Sequence, residues 1–308
     1  MASKVYFADF RCPSWRENLQ QKLARLMMTA GFGDIDMDGK FVAIKMHFGE
    51  LGNLAFLRPN YAKVVADLCK EQGGMPFLTD CNTLYPGSRK NALEHLSCAQ
   101  LNGFWPMTTG CQVIIGDGLR GTDEVEVPVP NGEYCKTAKI GRAIMDADVF
   151  ISLTHFKGHE STGFGGALKQ LSIGCASSAG KANIHGAGKP EEMWTTEQNA
   201  FLESMADTAE SVVKLFDGKI VYINVMKNMS VDCDCCAVAE DPCMKDIGIL
   251  ASLDPIAIDQ ACLDLVYASD DPGRDHLVER IESLNGVHTV EAAAELGFGS
   301  REYELIEL

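Results

Sequence analysis

Basic residues are scarce in this chain. Its 308 residues hold 27 Lys and Arg against 43 Asp and Glu, a formal charge of −16. Contacts to a nucleic-acid backbone or an anionic membrane surface call for Lys and Arg, so neither is expected as a partner. Long apolar runs are missing as well: none approaches the roughly 18 to 20 residues that span a bilayer. The N-terminal stretch MASKVYFADF has no basic segment followed by an apolar one, the pattern of a secretory leader, and a cytoplasmic protein is expected. The phosphate-loop pattern GxxxxGK[ST] and the dinucleotide pattern GxGxxG are absent from the glycine-rich segment, which removes two common signatures of nucleotide binding. No internal repeat or low-complexity linker interrupts the sequence.

What is present is an ample supply of core, 46% of residues being apolar. VYFADF, FVAIKMHFG and MPFLTD read as strands, and the stretches 14–31, RPNYAKVVADLCKEQGG and SRKNALEHLSCAQLNG read as helices between them. Ser14 and Ser88 are the expected caps of the first and third of these helices. Strands alternating with helices of this length predict an α/β fold built on a mainly parallel, doubly wound sheet or sheets. Two lobes are expected, 1–110 and 111–308. The boundary falls in 110–145, and a single domain with an inserted subdomain is an open alternative. After EVEVPVP, an alternating edge ribbon, come the buried strand DVFISLT, a long helix over about 196–216, the strand KIVYINVM, IGILAS, and the helix DPIAIDQACLDLVYA.

Ligands of open parallel sheets bind beyond the carboxyl ends of the strands. That rule collects MHFGE, TDCNTLY, THFKGHE and a cysteine segment at one edge. His47 and Asp80 are acid/base candidates by that position alone; taken singly, each is more simply structural. The segment after DVFISLT carries His155, His159, Lys169, Lys181 and His185 within thirty-one residues. Gly163, Gly165 and Gly166 would let backbone approach a ligand, with Lys169 and Lys181 supplying charge for an anion or cofactor. The bland alternative is a glycine-rich turn with solvated lysines; the clustering of titratable groups favours a site. The segment DCDCCAVAEDPC puts Cys233, Cys235, Cys236 and Cys243 in eleven residues. Thiolates so placed suit a soft metal or an iron–sulfur cluster, although the spacing C-x-C-C-x6-C matches neither the ferredoxin run nor paired zinc knuckles. If the segment is extended, the Cys233 and Cys235 side chains point the same way and that of Cys236 the other. Free thiols in a surface loop are the plain reading.

MHFGELGN, FLTDCNTLYPGSRKNALEH, THFKGHESTGFGGALKQLSIGCAS, CDC and DIGILASLDPIAIDQACLDLV together resemble domain-of-unknown-function family 362, over nearly the whole chain. Members are often described as iron–sulfur centre proteins; the resemblance implies a metal or cluster but no particular reaction. Many members carry a ferredoxin-like cysteine insert, and here GKANIHGAGKPEEMWTTEQ passes straight into a helix instead. More distantly, the order His159, GFGG, Lys169, His185, with intervals of ten and sixteen residues, is similar to the nickel-pincer lactate racemase family. That resemblance implies Lys169 as anchor of a pincer nucleotide, His185 as a metal ligand and His159 as a proton-transfer group. The family's second acid/base histidine has no counterpart in NTLY.

Three readings follow. The first is a redox metalloenzyme acting on a small molecule or with a redox partner, with His159, Lys169, His47 and Asp80 as catalytic candidates and Cys233, Cys235, Cys236, Cys243 and His185 as ligands. The second is a racemase-like enzyme with a Lys-anchored nickel-pincer nucleotide, and the third a non-catalytic metal carrier or electron-transfer module. A homo-oligomer is compatible with each.

Overall fold

The computed structural model describes residues 2–238 and 240–308. The N-terminal part alternates β1 (Ser3–Ala8), α1 (Leu19–Thr29), β2 (Phe41–Lys45), α2 (Pro59–Glu71), β3 (Met75–Asp80), α3 (Ala92–Leu101), the one-turn α4 (Pro106–Thr109) and β4 (Gln112–Ile115). An antiparallel ribbon, β5 (Glu124–Pro128) with β6 (Thr137–Gly141), and the short α5 (Arg142–Met145) lead into β7 (Val149–His155). Then come the small hairpin β8 (Lys157–His159) and β9 (Gly163–Gly165), α6 (Ala167–Leu171), α7 (Ser178–His185), the long α8 (Gln198–Phe216) and β10 (Ile220–Met226). The chain ends with β11 (Gly248–Ser252), α9 (Pro255–Tyr267), α10 (Arg274–Ser283), α11 (His288–Glu295) and β12 (Tyr303–Glu307).

Eight strands form one sheet in the order β12-β1-β11-β10-β7-β2-β3-β4. Five of its seven pairings are parallel, and β11 alone runs against its neighbours. Strands from both sides of residue 110 interleave in this sheet. Side chains divide between its faces as the pleat dictates. Val42 and Ile44, Val149, Ile151 and Leu153, and Val221, Ile223 and Val225 join α1 and α2 in one core; Ala43, Phe150 and Tyr222 join α8 and α9 in the other. β7 and β10 are buried at every position, as continuous apolar strands covered on both faces must be. No helix among the described residues is long and apolar enough to cross a membrane.

Two expected caps are displaced. α1 starts at Leu19, where Asn18 accepts from the Gln21 amide at 3.0 Å and the Gln21 side chain returns the bond, a complete capping box. α3 is capped by Asn91, while Ser88 is drawn away to donate to the Glu50 carboxylate. The cap of α9 is Asp254, as its DP sequence suggests, and Asp259 caps a different helix, accepting from Ala167 and Leu168 at the start of α6 at 2.7 and 2.9 Å.

Candidate functional site

The loops following β2, β3, β7 and β10 meet beyond the carboxyl edge of the sheet. Because β11 runs backwards, the β10–β11 connection that carries the cysteines stays at that edge. Between these loops lies a cavity of about 230 Å³. His47, Asp80, His159, Gly165, Gly166, Lys169, Lys181, His185, Cys233 and Cys235 all line it; among the expected site residues, Gly163, Cys236 and Cys243 do not.

The cysteine segment is a tight turn, not an extended strand. The Cys236 amide donates to the Cys233 carbonyl at 3.1 Å, and the Cys235 amide to the Cys233 sulfur at 3.2 Å. This turn brings the Cys233 and Cys235 sulfurs, a ring nitrogen of His159 and a carboxylate oxygen of Glu160 within 4.8 Å of one another. Tetrahedral zinc needs ligand separations of about 3.3 to 3.8 Å, so a modest contraction would close the group on an ion. Cys236 borders it, with its sulfur 3.3 Å from Glu160 Oε1. Cys243 is turned elsewhere and donates to the Met229 carbonyl at 3.0 Å. Burial and the neighbouring Cys235 raise the Cys233 thiol well above its ordinary range. At Cys235 the Cys233 sulfur pulls down while Cys236 and burial push up, with a net rise to about 12. Both thiols are therefore protonated when no metal is bound, and loading a soft ion would release those protons.

His159 carries a constraint of its own. The Ser161 amide donates to its Nδ1 at 3.1 Å, so the neutral ring holds its proton on Nε2, which lies 3.8 Å from the Cys235 sulfur. Ligation through Nε2 would require the other tautomer and the loss of the Ser161 bond. The donor set that could close on an ion without a change of histidine tautomer is thus Cys233, Cys235 and Glu160, with the His159 N–H beside a sulfur.

Beneath the turn, charge is paired in the interior. Asp234, between the two cysteines, receives Lys157 Nζ at 2.9 Å and His155 Nδ1 at 3.1 Å. Burial would raise its carboxyl, but Lys157, His47 and His155 outweigh this and hold it well below the usual range. Lys45 lies 2.8 Å from Asp80, whose carboxyl is likewise held down against burial. The buried Arg89 donates to Glu50 at 3.0 Å, to the Tyr85 hydroxyl at 2.7 Å and to the Cys235 carbonyl at 3.2 Å. Glu50 N–H holds the Asp234 carbonyl at 3.0 Å, and Asn53 holds that of Cys236 at 2.9 Å. The cysteine turn is thereby fastened to the loops after β2 and β3. Sequence reasoning passed over Lys45, Arg89, Lys157, Glu160 and Asp234; a lysine inside the apolar strand FVAIK was the available signal, since lysines are almost never buried unpaired.

The opposite wall is cationic. Lys169 is half-buried, with no carboxylate within 4.0 Å among the described residues, and the buried Lys181 donates only to the Ala176 carbonyl at 2.5 Å. His185 stacks on Phe201 with ring centroids 4.6 Å apart. Burial, reinforced by Lys169 and Lys181, lowers it to about 4. Gly165 stands at the cavity wall, with nothing among the described residues closer than Lys157 Nζ at 3.6 Å to a Cβ there, whereas other glycines of the segment are packed against protein. A Cβ at Gly158 would lie 2.0 Å from the Val231 carbonyl oxygen, and one at Gly166 would lie 2.4 Å from Asp259 Oδ1. The amides at the start of α6 are taken by Asp259 and are not free for an anion. Charge for an anion therefore comes from the two lysines.

Comparison with known proteins adds the following. The chain is 27% identical over 205 residues to the thylakoid-associated protein sll1697 of Synechocystis sp., a match covering 62% of this chain and 56% of that protein. It thus spans little more than half that relative's length. Similar solved structures include the lactate racemase apoprotein from Thermoanaerobacterium thermosaccharolyticum, at 14% identity and a TM-score of 0.47 over 87% of this chain and 58% of that one. A structural-genomics target from Thermotoga maritima matches at 12% identity and a TM-score of 0.45, over 92% of this chain and 60% of that one. The pattern described as Domain of unknown function (DUF362) matches residues 42–264, from β2 into α9, a span that contains every cavity-lining residue named above, and the chain belongs to that family.

Proposed function

We propose that this protein is a metal-dependent enzyme acting on a small anionic molecule in a reducing compartment, the cytoplasm. A soft transition-metal ion would be held by Cys233, Cys235 and Glu160, and the substrate's charge would be met by Lys169 and Lys181. The observation that carries the reading is the convergence of two sulfurs, a carboxylate and an imidazole within 4.8 Å on the wall of a cavity. The donor chemistry favours a single ion over a cluster, because the common clusters are held by four thiolates and Cys243 is turned away from the others. All twelve cysteines are free thiols, in keeping with a reducing compartment. A pure carrier would have no use for a cation-lined cavity beside the ion.

The test is metal analysis of anaerobically purified protein, followed by titration of the metal-free chain with zinc, cobalt and iron. One ion per chain is expected, with sulfur-to-cobalt charge-transfer absorption. Cys233→Ser and Cys235→Ser should abolish it, and Cys243→Ser should leave it intact. A wild-type chain that takes up none of these ions sinks the reading, and persistence in Cys233→Ser would misplace the ligands. A second reading, a nucleotide cofactor of nickel-pincer type anchored covalently on Lys169, draws on the free ammonium of that residue. Intact mass of protein coexpressed with the cofactor-making enzymes tests it, and an unmodified Lys169 rejects it.

A further inference from the structure

The cavity has a second character besides its charges. Along one wall the lining comes from three successive segments and is apolar or aromatic: Ile173 between α6 and α7, His185 at the end of α7, Trp194 in the connection to α8, and Phe201 near the start of α8. Leu84, after β3, adds to it. Lys169 joins this wall to the cysteine turn, since its charge bears on Cys235 and His159 as well as on His185.

Trp194 is engaged by nothing else among the described residues. It is 73% exposed, and no described ring stacks on it and no described cation sits over it. The segment that carries it is nonetheless closed by hydrogen bonds. The Thr195 amide and the Thr196 hydroxyl both donate to the Glu192 carbonyl, at 2.8 and 2.9 Å, and the Glu197 carboxylate accepts from the Ala200 amide at 3.0 Å where α8 begins. A tryptophan left in water forgoes a large hydrophobic gain; one held at the rim of a cavity offers that area to a ligand. His185 offers a second flat surface. One of its faces lies on Phe201, the rings 4.6 Å apart and 17° from coplanar, and the residue is only partly covered.

Small-molecule pockets pair an apolar wall with a few polar groups that fix orientation. Acetate or inorganic phosphate could satisfy Lys169 but would leave this wall wet. We infer that the anion bound here is an aryl oxyanion, a carboxylate or phosphate attached to a flat apolar ring, and that Trp194 selects the ring, which packs against Trp194 and His185 while the charged end meets Lys169. This deepens the proposed function and rests on it for the anion; it does not depend on the metal.

The test titrates metal-free full-length protein, by calorimetry, with acetate, benzoate, cyclohexanecarboxylate, inorganic phosphate and phenyl phosphate. Benzoate should bind about tenfold or more tighter than acetate, and phenyl phosphate tighter than phosphate by a like factor; the tighter aryl probe identifies the charged end. Cyclohexanecarboxylate, similar in size but not flat, should bind less well than benzoate. Trp194→Ala should weaken benzoate about tenfold and acetate far less, and Trp194→Phe should recover most of the loss. The ring is exposed, so the denaturation midpoint and zinc uptake of Trp194→Ala should match the wild type. With Trp15→Phe and Trp105→Phe in place, Trp194 is the remaining tryptophan of three, and its fluorescence should respond to benzoate. Equal affinity for aryl and simple anions, cyclohexanecarboxylate binding as tightly as benzoate, or Trp194→Ala binding benzoate as the wild type does would each overturn this inference and leave the anion reading standing. Failure of all five probes to bind would remove both.

Discussion

Asp234→Asn is the sharpest test of how the site is held together. The substitution keeps the shape of the side chain and removes its charge, leaving the Lys157 ammonium 2.9 Å away without a counter-ion. Both side chains are almost wholly enclosed, at 1% and 7% exposure. Removing one member of a buried pair strands the other, at a cost of about 3 to 5 kcal/mol. His155, 3.1 Å from the other carboxylate oxygen, loses its partner at the same time, which places the expectation toward the upper end of that range. Denaturation in urea at neutral pH reads this as a lower midpoint with an unchanged slope. Lys157→Met alone should cost less, since Asp234 still has His155 beside it. The double variant should be more stable than the sum of the single losses predicts, by about 2 kcal/mol or more, because the stranded charge is gone. A loss under about 1 kcal/mol for Asp234→Asn, or strict additivity in the cycle, would refute the claim that this pair is load-sharing in the interior.

Three further outcomes follow from the same geometry. His185 is lowered to about 4 from an ordinary 6.5, so between those values the unfolded chain binds this proton and the folded one does not, and the His185 contribution to stability rises with pH through that window. Asp259, raised to about 6 by burial, contributes in the opposite sense. Acidification should remove up to about 3 kcal/mol of the His185 contribution, so His185→Gln should lose less stability on acidification than the wild type; identical profiles would count against a buried neutral ring. Gly158→Ala would drive a methyl to 2.0 Å from the Val231 carbonyl oxygen, which must push β8 away from the cysteine turn. The expected loss is about 3 kcal/mol, measured by denaturation, together with weaker metal uptake; a neutral variant would mean that the two segments are not in contact. Arg89→Lys keeps the charge opposite Glu50 but cannot reach both Tyr85 and the Cys235 carbonyl. Cobalt affinity should fall by about 10- to 100-fold, as for other groups that orient ligands, and an unaltered titration would show that the turn stands without that clamp.

The layers of this fold were legible because they depend on local periodicity. β7 and β10 are continuous apolar strands, and the helices between the first three strands have the length and amphipathic spacing that a doubly wound sheet needs. β12 was missed, since YELIE at an edge carries a weak and half-exposed pattern. The start of α1 was misplaced because Ser14 with Glu17 and Asn18 with Gln21 are both capping-box patterns; in the structure Glu17 is engaged by Arg25, and the box is closed by Asn18 and Gln21. For the site, the strand-end rule gathered the correct loops. It could not show that Lys157 belongs to Asp234, 77 positions away in the chain, or that Asp259 would occupy the amides at the start of α6. Such pairings are settled by tertiary packing, which leaves no local trace. The sulfurs of Cys233 and Cys235 do converge, but through a turn closed by hydrogen bonds to Cys233, where an extended segment was expected.

The charges at this site divide into two kinds, and the division bears on what the cavity is for. Lys45, Lys157 and Arg89 each meet a buried carboxylate, from Asp80, Asp234 and Glu50. Such pairs add little net stability over an apolar core, but they fix geometry, because any displacement strands a charge. Lys157 ties the cysteine turn to β8, Arg89 reaches its Cys235 carbonyl, and Lys45 joins β2 to β3 beneath it. Among the described residues Lys169 and Lys181 have no carboxylate within 4.0 Å, in a chain whose net charge is −16. Lys181 offsets the charge of the buried Asp117, whereas the start of α6 is already capped by Asp259 and makes no demand on Lys169. These two ammonium groups give one wall of the cavity an excess of donors, across from the acceptors of Asp80 and Glu160. Such a surface is satisfied by a ligand made mostly of acceptors, which is what a small oxyanion beside a thiolate-bound ion would be.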